Sequence, residues 1–169
     1  MIAESLISPR PHPDIPASDR IFAPFIGSWD LRVTWYATGE IVRQEDGEWH
    51  FAWVLEGRAV QDVWIVPRRE RRATAPDLYE YGTSVRFYDH ALGAWRSTWI
   101  GPMHGMIRSF VARHIGGTVV LDTDPGQGDP MRWEFSDVTH DTFVWRNWLN
   151  RDGRWMLQQD FMATRARPD

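Results

Sequence analysis

Ile26-Gly27-Ser28-Trp29-Asp30-Leu31-Arg32-Val33-Thr34-Trp35-Tyr36 alternates apolar and polar residues with a strict period of two. Trp29, Leu31, Val33 and Trp35 fall on one face, and Asp30, Arg32 and Thr34 on the other. Because a strand turns successive side chains to opposite sides, this pattern reads as a half-buried β-strand. Glu48 to Leu55 repeats it, with Trp49, Phe51, Trp53 and Leu55 in one row. Working outward, further strands are expected at Arg58 to Val66, Tyr81 to Tyr88, Ala94 to Ile100, Met106 to Arg113, Thr118 to Thr123, Met131 to Ser136, Thr142 to Leu149 and Trp155 to Arg165. Helical periodicity is nearly absent, and the count comes to about ten strands.

Turn chemistry separates these runs: Asp46-Gly47, Asp89 to Gly93, Gly116-Gly117, Asp124 to Pro130 and Asp152-Gly153 all suit hairpins, so successive strands should pair antiparallel. Pro67 to Leu78, rich in arginine, is the one long connection and reads as a solvated, mobile loop. Upstream, prolines at 9, 11, 13 and 16 exclude a continuous helix or central strand, so residues 1–21 read as an extended tail before a single domain at 22–169. A mobile terminus or a strap across a barrel mouth are the two alternatives for it. Arg20 to Ile26, with Phe22 and Phe25 and with Pro24 near its start, suits a short helical turn before the first strand. Many short strands without helices call for a sandwich or a closed barrel, and closure removes exposed sheet edges. The expected fold is an all-β, antiparallel up-and-down barrel, wide enough to enclose a ligand.

Composition narrows the chemistry. The 169 residues carry 19 basic side chains, all arginine, and no cysteine. Lysine Schiff bases, a P-loop lysine, cysteine nucleophiles, thiolate metal sites and disulfides are thereby excluded. A net charge of −4 argues against a nucleic-acid binder, which needs a basic face to displace phosphate counterions. There is neither a signal-like apolar run behind a basic start nor a membrane-length apolar stretch, so a cytoplasmic protein without a membrane partner is expected. The 11 tryptophans are unusual for a chain of this length. They point to wide interior spaces or an aromatic-lined cavity, with Trp35, Trp53, Trp64, Trp95, Trp99 and Trp145 as candidate walls.

Polar residues that interrupt apolar strand rows are the candidates for chemistry, since a buried charge must be paired or neutralised. Asp62 shares a row with Val60, Trp64 and Val66, and that row is the one expected to face inward; Gln61 replaces it if the phase is reversed. Arg58, Arg86, Arg96 and Arg146 also interrupt strands and offer forked donors to a carboxylate, phosphate or enolate. Arg86 and Arg146 lead among them because their neighbours are apolar or aromatic. His50 points outward on simple alternation, while His90 and His140 lie beside aspartates in turns. His104, in Gly101-Pro102-Met103-His104-Gly105, is placed where a loop can bring it to a barrel mouth as a proton-transfer group. No histidine pair has zinc-site spacing, and neither a Gly-x-Ser-x-Gly elbow nor a phosphate-binding glycine loop is present.

Gly27-Ser28-Trp29 at the head of the first strand resembles the Gly-x-Trp signature of the lipocalin and calycin barrels. In that family the tryptophan closes one barrel end and a late arginine packs over its ring, which implies Arg165 here. Across Phe22 to Arg165 the chain is similar to bacterial calycin-like proteins related to the DUF1579 group, through Leu55-Glu56-Gly57-Arg58-Ala59-Val60-Gln61-Asp62-Val63-Trp64, Val85-Arg86-Phe87-Tyr88-Asp89, Phe143-Val144-Trp145-Arg146 and Gly153-Arg154-Trp155. The resemblance implies a fold more than a reaction, and lipocalins are mainly carriers. The related nitrobindins hold haem through a histidine near the C-terminus. Here the last histidine is His140 and no Gly-x-Trp-x-Gly-x-Gly opening is present, so no cofactor is expected.

The functional expectation is binding of a small apolar or aromatic molecule in the barrel. Cofactor-free acid–base chemistry by Asp62 or His104, of isomerase, cyclase or hydratase type, would be added to it, with Arg58, Arg86 and Arg146 near the ligand. The alternatives are a carrier without chemistry, or a structural subunit that uses outward residues such as Tyr36, Ile100 and Trp148, for which a homodimer is the simplest form.

Overall fold

The computed structural model describes residues 2–74 and 80–167. Ten strands form an antiparallel meander: β2 (Gly27–Ala37), β3 (Glu40–Val54), β4 (Ala59–Val66), β5 (Glu80–Asp89), β6 (Ala94–Gly101), β7 (Met106–Ile115), β8 (Thr118–Thr123), β9 (Met131–Ser136), β10 (Thr142–Arg151) and β11 (Arg154–Arg165). Each pairs with its successor, and the last strand, β11, pairs back with β2, so the sheet closes on itself. A closed ten-stranded antiparallel barrel results. Its inward rows are the expected ones: Trp29, Leu31 and Val33 are buried on β2, and Trp49, Phe51 and Trp53 on β3.

Two sequence expectations need correction here. β3 begins at Glu40, not Glu48, because the hairpin turn lies at Thr38-Gly39, both at positive φ, and Asp46-Gly47 is mid-strand. Gly47 is there for a close approach: a Cβ would overlap the Ile65 carbonyl oxygen and the Val66 side chain. Leu55, placed in the inner row by alternation, instead forms part of the β3–β4 turn and is 54% exposed.

One barrel end is filled. Phe22, just before a short 3-10 turn (Ala23–Phe25), and Phe25, at its end, insert among Trp95, Phe135 and Phe143, with ring centroids 4.6–5.2 Å apart. The proline-rich segment docks at this end instead of hanging free or crossing the open mouth. After α1 (Ile2–Leu6), the two-residue strand β1 (Ile7–Ser8) pairs with the end of β3. His12 N–H donates to the Gly57 carbonyl, and Ile15 is buried. Gly57, at φ +84, allows the crossing, because a Cβ would strike the Arg10 carbonyl. Arg165 seals the end: its guanidinium lies 4.1 Å over the Trp29 ring and donates to the carbonyls of His140, Ile26 and Pro24.

The connection after β4 is also docked over its described part. Arg68 pairs with Asp30, Arg71 with Glu45, and Arg69 donates from its backbone and side chain to Glu48. Residues 75–79 of the expected loop lie outside the described residues. Burial pushes the Glu48 carboxyl upward, but the hydrogen bonds from Arg69 and His50 outweigh it and hold it at about 2, against an ordinary 4.5. A depressed folded value means stability present above the unfolded value and lost as pH falls through the folded one. Thermal melts of Glu48→Gln and the parent chain should therefore differ most above pH 4.5 and converge towards about pH 2; a gap that ignores pH would refute the ion-pair account.

Candidate functional site

Above the filled end, the mouth half of the barrel is hollow. A cavity of about 180 Å³ lies among Trp49, Trp64, Trp99, Trp133, Trp145 and Phe161. Six strands supply these six rings, one each, so the wall is rigid sheet. Trp99 stands over two glycines: a Cβ at Gly82 or Gly101 would overlap its indole, and the ring lies where ordinary side chains leave no space. The polar groups on the wall are few. Ser84, Asn147 and Gln159 lie deeper, and Glu80, Tyr81 and His104 are nearer the rim with Met103 and Met106. His104 Nε2 is 3.3 Å from Glu80 Oε1, and its side chain is 60% exposed.

Asp62 and Arg86 face inward, as a pair. Arg86 Nη1 is 2.5 Å from Asp62 Oδ2, and both side chains are completely buried. They are not cavity walls. The Arg86 guanidinium lies 5.0 Å over the Phe22 ring and 5.8 Å from that of Phe51, on the plug side. Asp62 Oδ1 accepts the N–H of Ser84, whose side chain does line the cavity. The pair is thus the floor between plug and hollow. It is held by charge more than by aligned hydrogen bonds, since neither Nη1 nor Oδ2 meets hydrogen-bond geometry.

Of the other residues singled out in the sequence, Trp64, Trp99 and Trp145 line the cavity. Trp53 and Trp95 belong to the plug side, 6.4 Å apart by ring centroid, with the Trp95 indole donating to the Asp19 carbonyl. Trp35 is half-buried beneath the Arg43 guanidinium, 4.3 Å away. Arg58 and Arg146 are not brought to the cavity: Arg58 pairs with Glu56 in the β3–β4 turn, and Arg146 donates to Ser136 Oγ outside the walls. Arg96 pairs with Asp89. Trp49, Trp133, Phe161, Asn147 and Gln159 were missed. Their signal was available, because Asn147 continues the inward row of Phe143 and Trp145, and Gln159 that of Phe161 and Ala163.

Outside the barrel, Ser28, His50 and Glu48 form a hydrogen-bonded chain of 2.9 and 3.0 Å. Arg69 already occupies both Glu48 oxygens, so the chain anchors the β4–β5 connection. No cluster of three or more metal-ligating side chains occurs among the described residues, and no helix among them is long and apolar enough to cross a membrane.

No family model matches the chain, and no curated protein matches it. Solved structures do. Rv2717c from M. tuberculosis is 13% identical with a TM-score of 0.59, the match covering 91% of this chain and all of that one. The S-type phycobiliprotein lyase CPES from Guillardia theta is 10% identical with a TM-score of 0.58, covering 91% of this chain and 95% of that one. At such identities the likeness is one of fold, and it agrees with the closed antiparallel barrel.

The floor makes a specific prediction. Asp62→Asn leaves a buried guanidinium without its counter-charge and should lower unfolding free energy by about 3–5 kcal/mol. Asp62→Leu combined with Arg86→Met should regain most of that loss in urea titration. Equal losses in the single and double variants would show that the charges are not coupled.

Proposed function

We propose that this protein binds a small, flat, largely apolar molecule of one or two aromatic rings in the mouth half of the barrel. The observation that carries the reading is the aromatic cavity itself, ringed by five tryptophans and a phenylalanine on rigid strands. Size sets the class. Pockets for drug-sized ligands span ~300–1,000 Å³, whereas an engineered apolar cavity of ~150 Å³ takes benzene; at about 180 Å³ this cavity stands close to the latter. The neighbour described as a phycobiliprotein lyase has a similar barrel, and a ligand-holding role fits that fold. The sequence likeness to DUF1579-related proteins belongs to the same reading.

Binding without chemistry is the simpler form. Acid–base catalysis would rest on His104 and Glu80, which with Tyr81 are the titratable side chains among the described walls. Asp62 would act only on the floor, through Ser84. An interface role for the barrel exterior has less support. The Tyr36 hydroxyl donates to Asp160 and the Trp148 indole to Glu134, so both polar ends are satisfied within the chain.

Naphthalene titration, followed by quenching of tryptophan fluorescence, tests the reading. Saturable one-to-one binding is expected, and Ser84→Leu, which extends a side chain into the cavity, should weaken it about tenfold or more while circular dichroism stays that of the barrel. Non-saturable quenching, or equal affinity in the filled variant, would remove the cavity as the binding site.

A further inference from the structure

Three of the cavity's polar groups form a chain whose direction can be read. Trp133, Asn147 and Gln159 are neighbours across β9, β10 and β11, in register with one another. The Trp133 indole donates to Asn147 Oδ1 at 3.1 Å. Asn147 Nδ2 donates in turn to Gln159 Oε1 at 3.4 Å. An amide can ordinarily turn either way, but an indole N–H has no acceptor function. Reversing Asn147 would set N–H against N–H in a site where Asn147 is 8% exposed and Trp133 equally so, which costs the desolvation of two buried donors. Trp133 therefore fixes Asn147, and Asn147 fixes Gln159. Each amide oxygen is engaged by a donor inside the chain, and the end left over is the Gln159 Nε2 amide NH2, a pure donor.

The rest of the wall adds donors and few acceptors. Trp49, Trp64 and Trp145 bury indole N–H groups that no acceptor among the described residues satisfies. The carboxylate of Glu80 lies towards the rim with His104. Resting on the binding reading above, we infer that the cavity selects ligands carrying a hydrogen-bond acceptor and no donor on the ring edge that meets Gln159: ring nitrogens, aryl ketones or aldehydes, lactones. Phenols and indoles, which would bring a donor to a donor, are disfavoured.

Three bicyclic probes of nearly equal size separate the possibilities: quinoline with a ring nitrogen acceptor, naphthalene with neither function, and indole with a donor. Titrations followed by isothermal calorimetry at mildly alkaline pH, where quinoline is uncharged, should rank quinoline first and indole last, with about a three- to tenfold step for the acceptor. Gln159→Leu should reverse the first two, placing naphthalene above quinoline. Trp133→Phe, which releases Asn147 to turn, should narrow the gap between quinoline and indole while keeping an aromatic wall. Equal binding of quinoline and indole to the parent chain, or a quinoline preference that survives in Gln159→Leu, would overturn the inference and leave the binding site standing. Failure of all three probes to saturate would bring down the binding reading, and this one with it.

Discussion

The ion pair of Asp62 and Arg86 is the constraint around which the interior is arranged. Two charges with no solvent exposure are tolerable only where each cancels the other and nothing pulls them apart. β4 and β5 place them on adjacent strands facing the same interior, Asp62 in register with Ser84 and Arg86 with Val60. Phe22 and Phe51 cover the guanidinium with ring faces that a cation favours. The plug beneath is therefore more than apolar filling. Without Phe22, water would reach Arg86 and the barrel would lose the dry floor on which the cavity stands.

Closure at the far end depends on similar logic with different atoms. Arg165, at the end of the last strand, reaches three carbonyl oxygens contributed by the 24–26 segment and the β9–β10 connection. The guanidinium also lies against Trp29, near the beginning of the first barrel strand. A single side chain thus joins the two ends of the meander and clamps the segment that delivers Phe22 and Phe25. The tail owes its order to this end, because its own proline-rich sequence offers no ladder of hydrogen bonds.

The fold was legible because most strands carry their own evidence: period two survives in most rows, failing in the Glu40–Gly47 half of β3, and the turns carry glycine or aspartate. Depth along the barrel axis was not. Trp53 and Trp64 have the same alternation and opposite fates, one in the plug and one on the cavity wall, since height depends on register between strands that a single strand cannot reveal. Asp46-Gly47 misled for a related reason: glycine answers equally to a turn and to a close backbone approach, and only the neighbouring Ile65 and Val66 decide between them. Asp62 and Arg86 were visible as interruptions of apolar rows. Asn147 and Gln159 were equally visible interruptions, but uncharged amides carry no obligation to be paired that stands out in sequence.

The two halves of the interior treat the same chemical group differently. In the filled half, indole N–H groups end on backbone carbonyls of the N-terminal segment, Trp29 on Phe25 at 2.7 Å and Trp95 on Asp19 at 2.6 Å. Around the cavity, Trp133 is the indole with an acceptor, supplied by Asn147, while Trp49, Trp64 and Trp145 have none among the described residues. Strand carbonyls cannot help, because the ladders of a closed sheet already use them. The tail is the source of free carbonyls, and it enters from one end only. A half built without it has indole donors in excess of acceptors, so the polarity of the cavity follows from the topology that seals the opposite end.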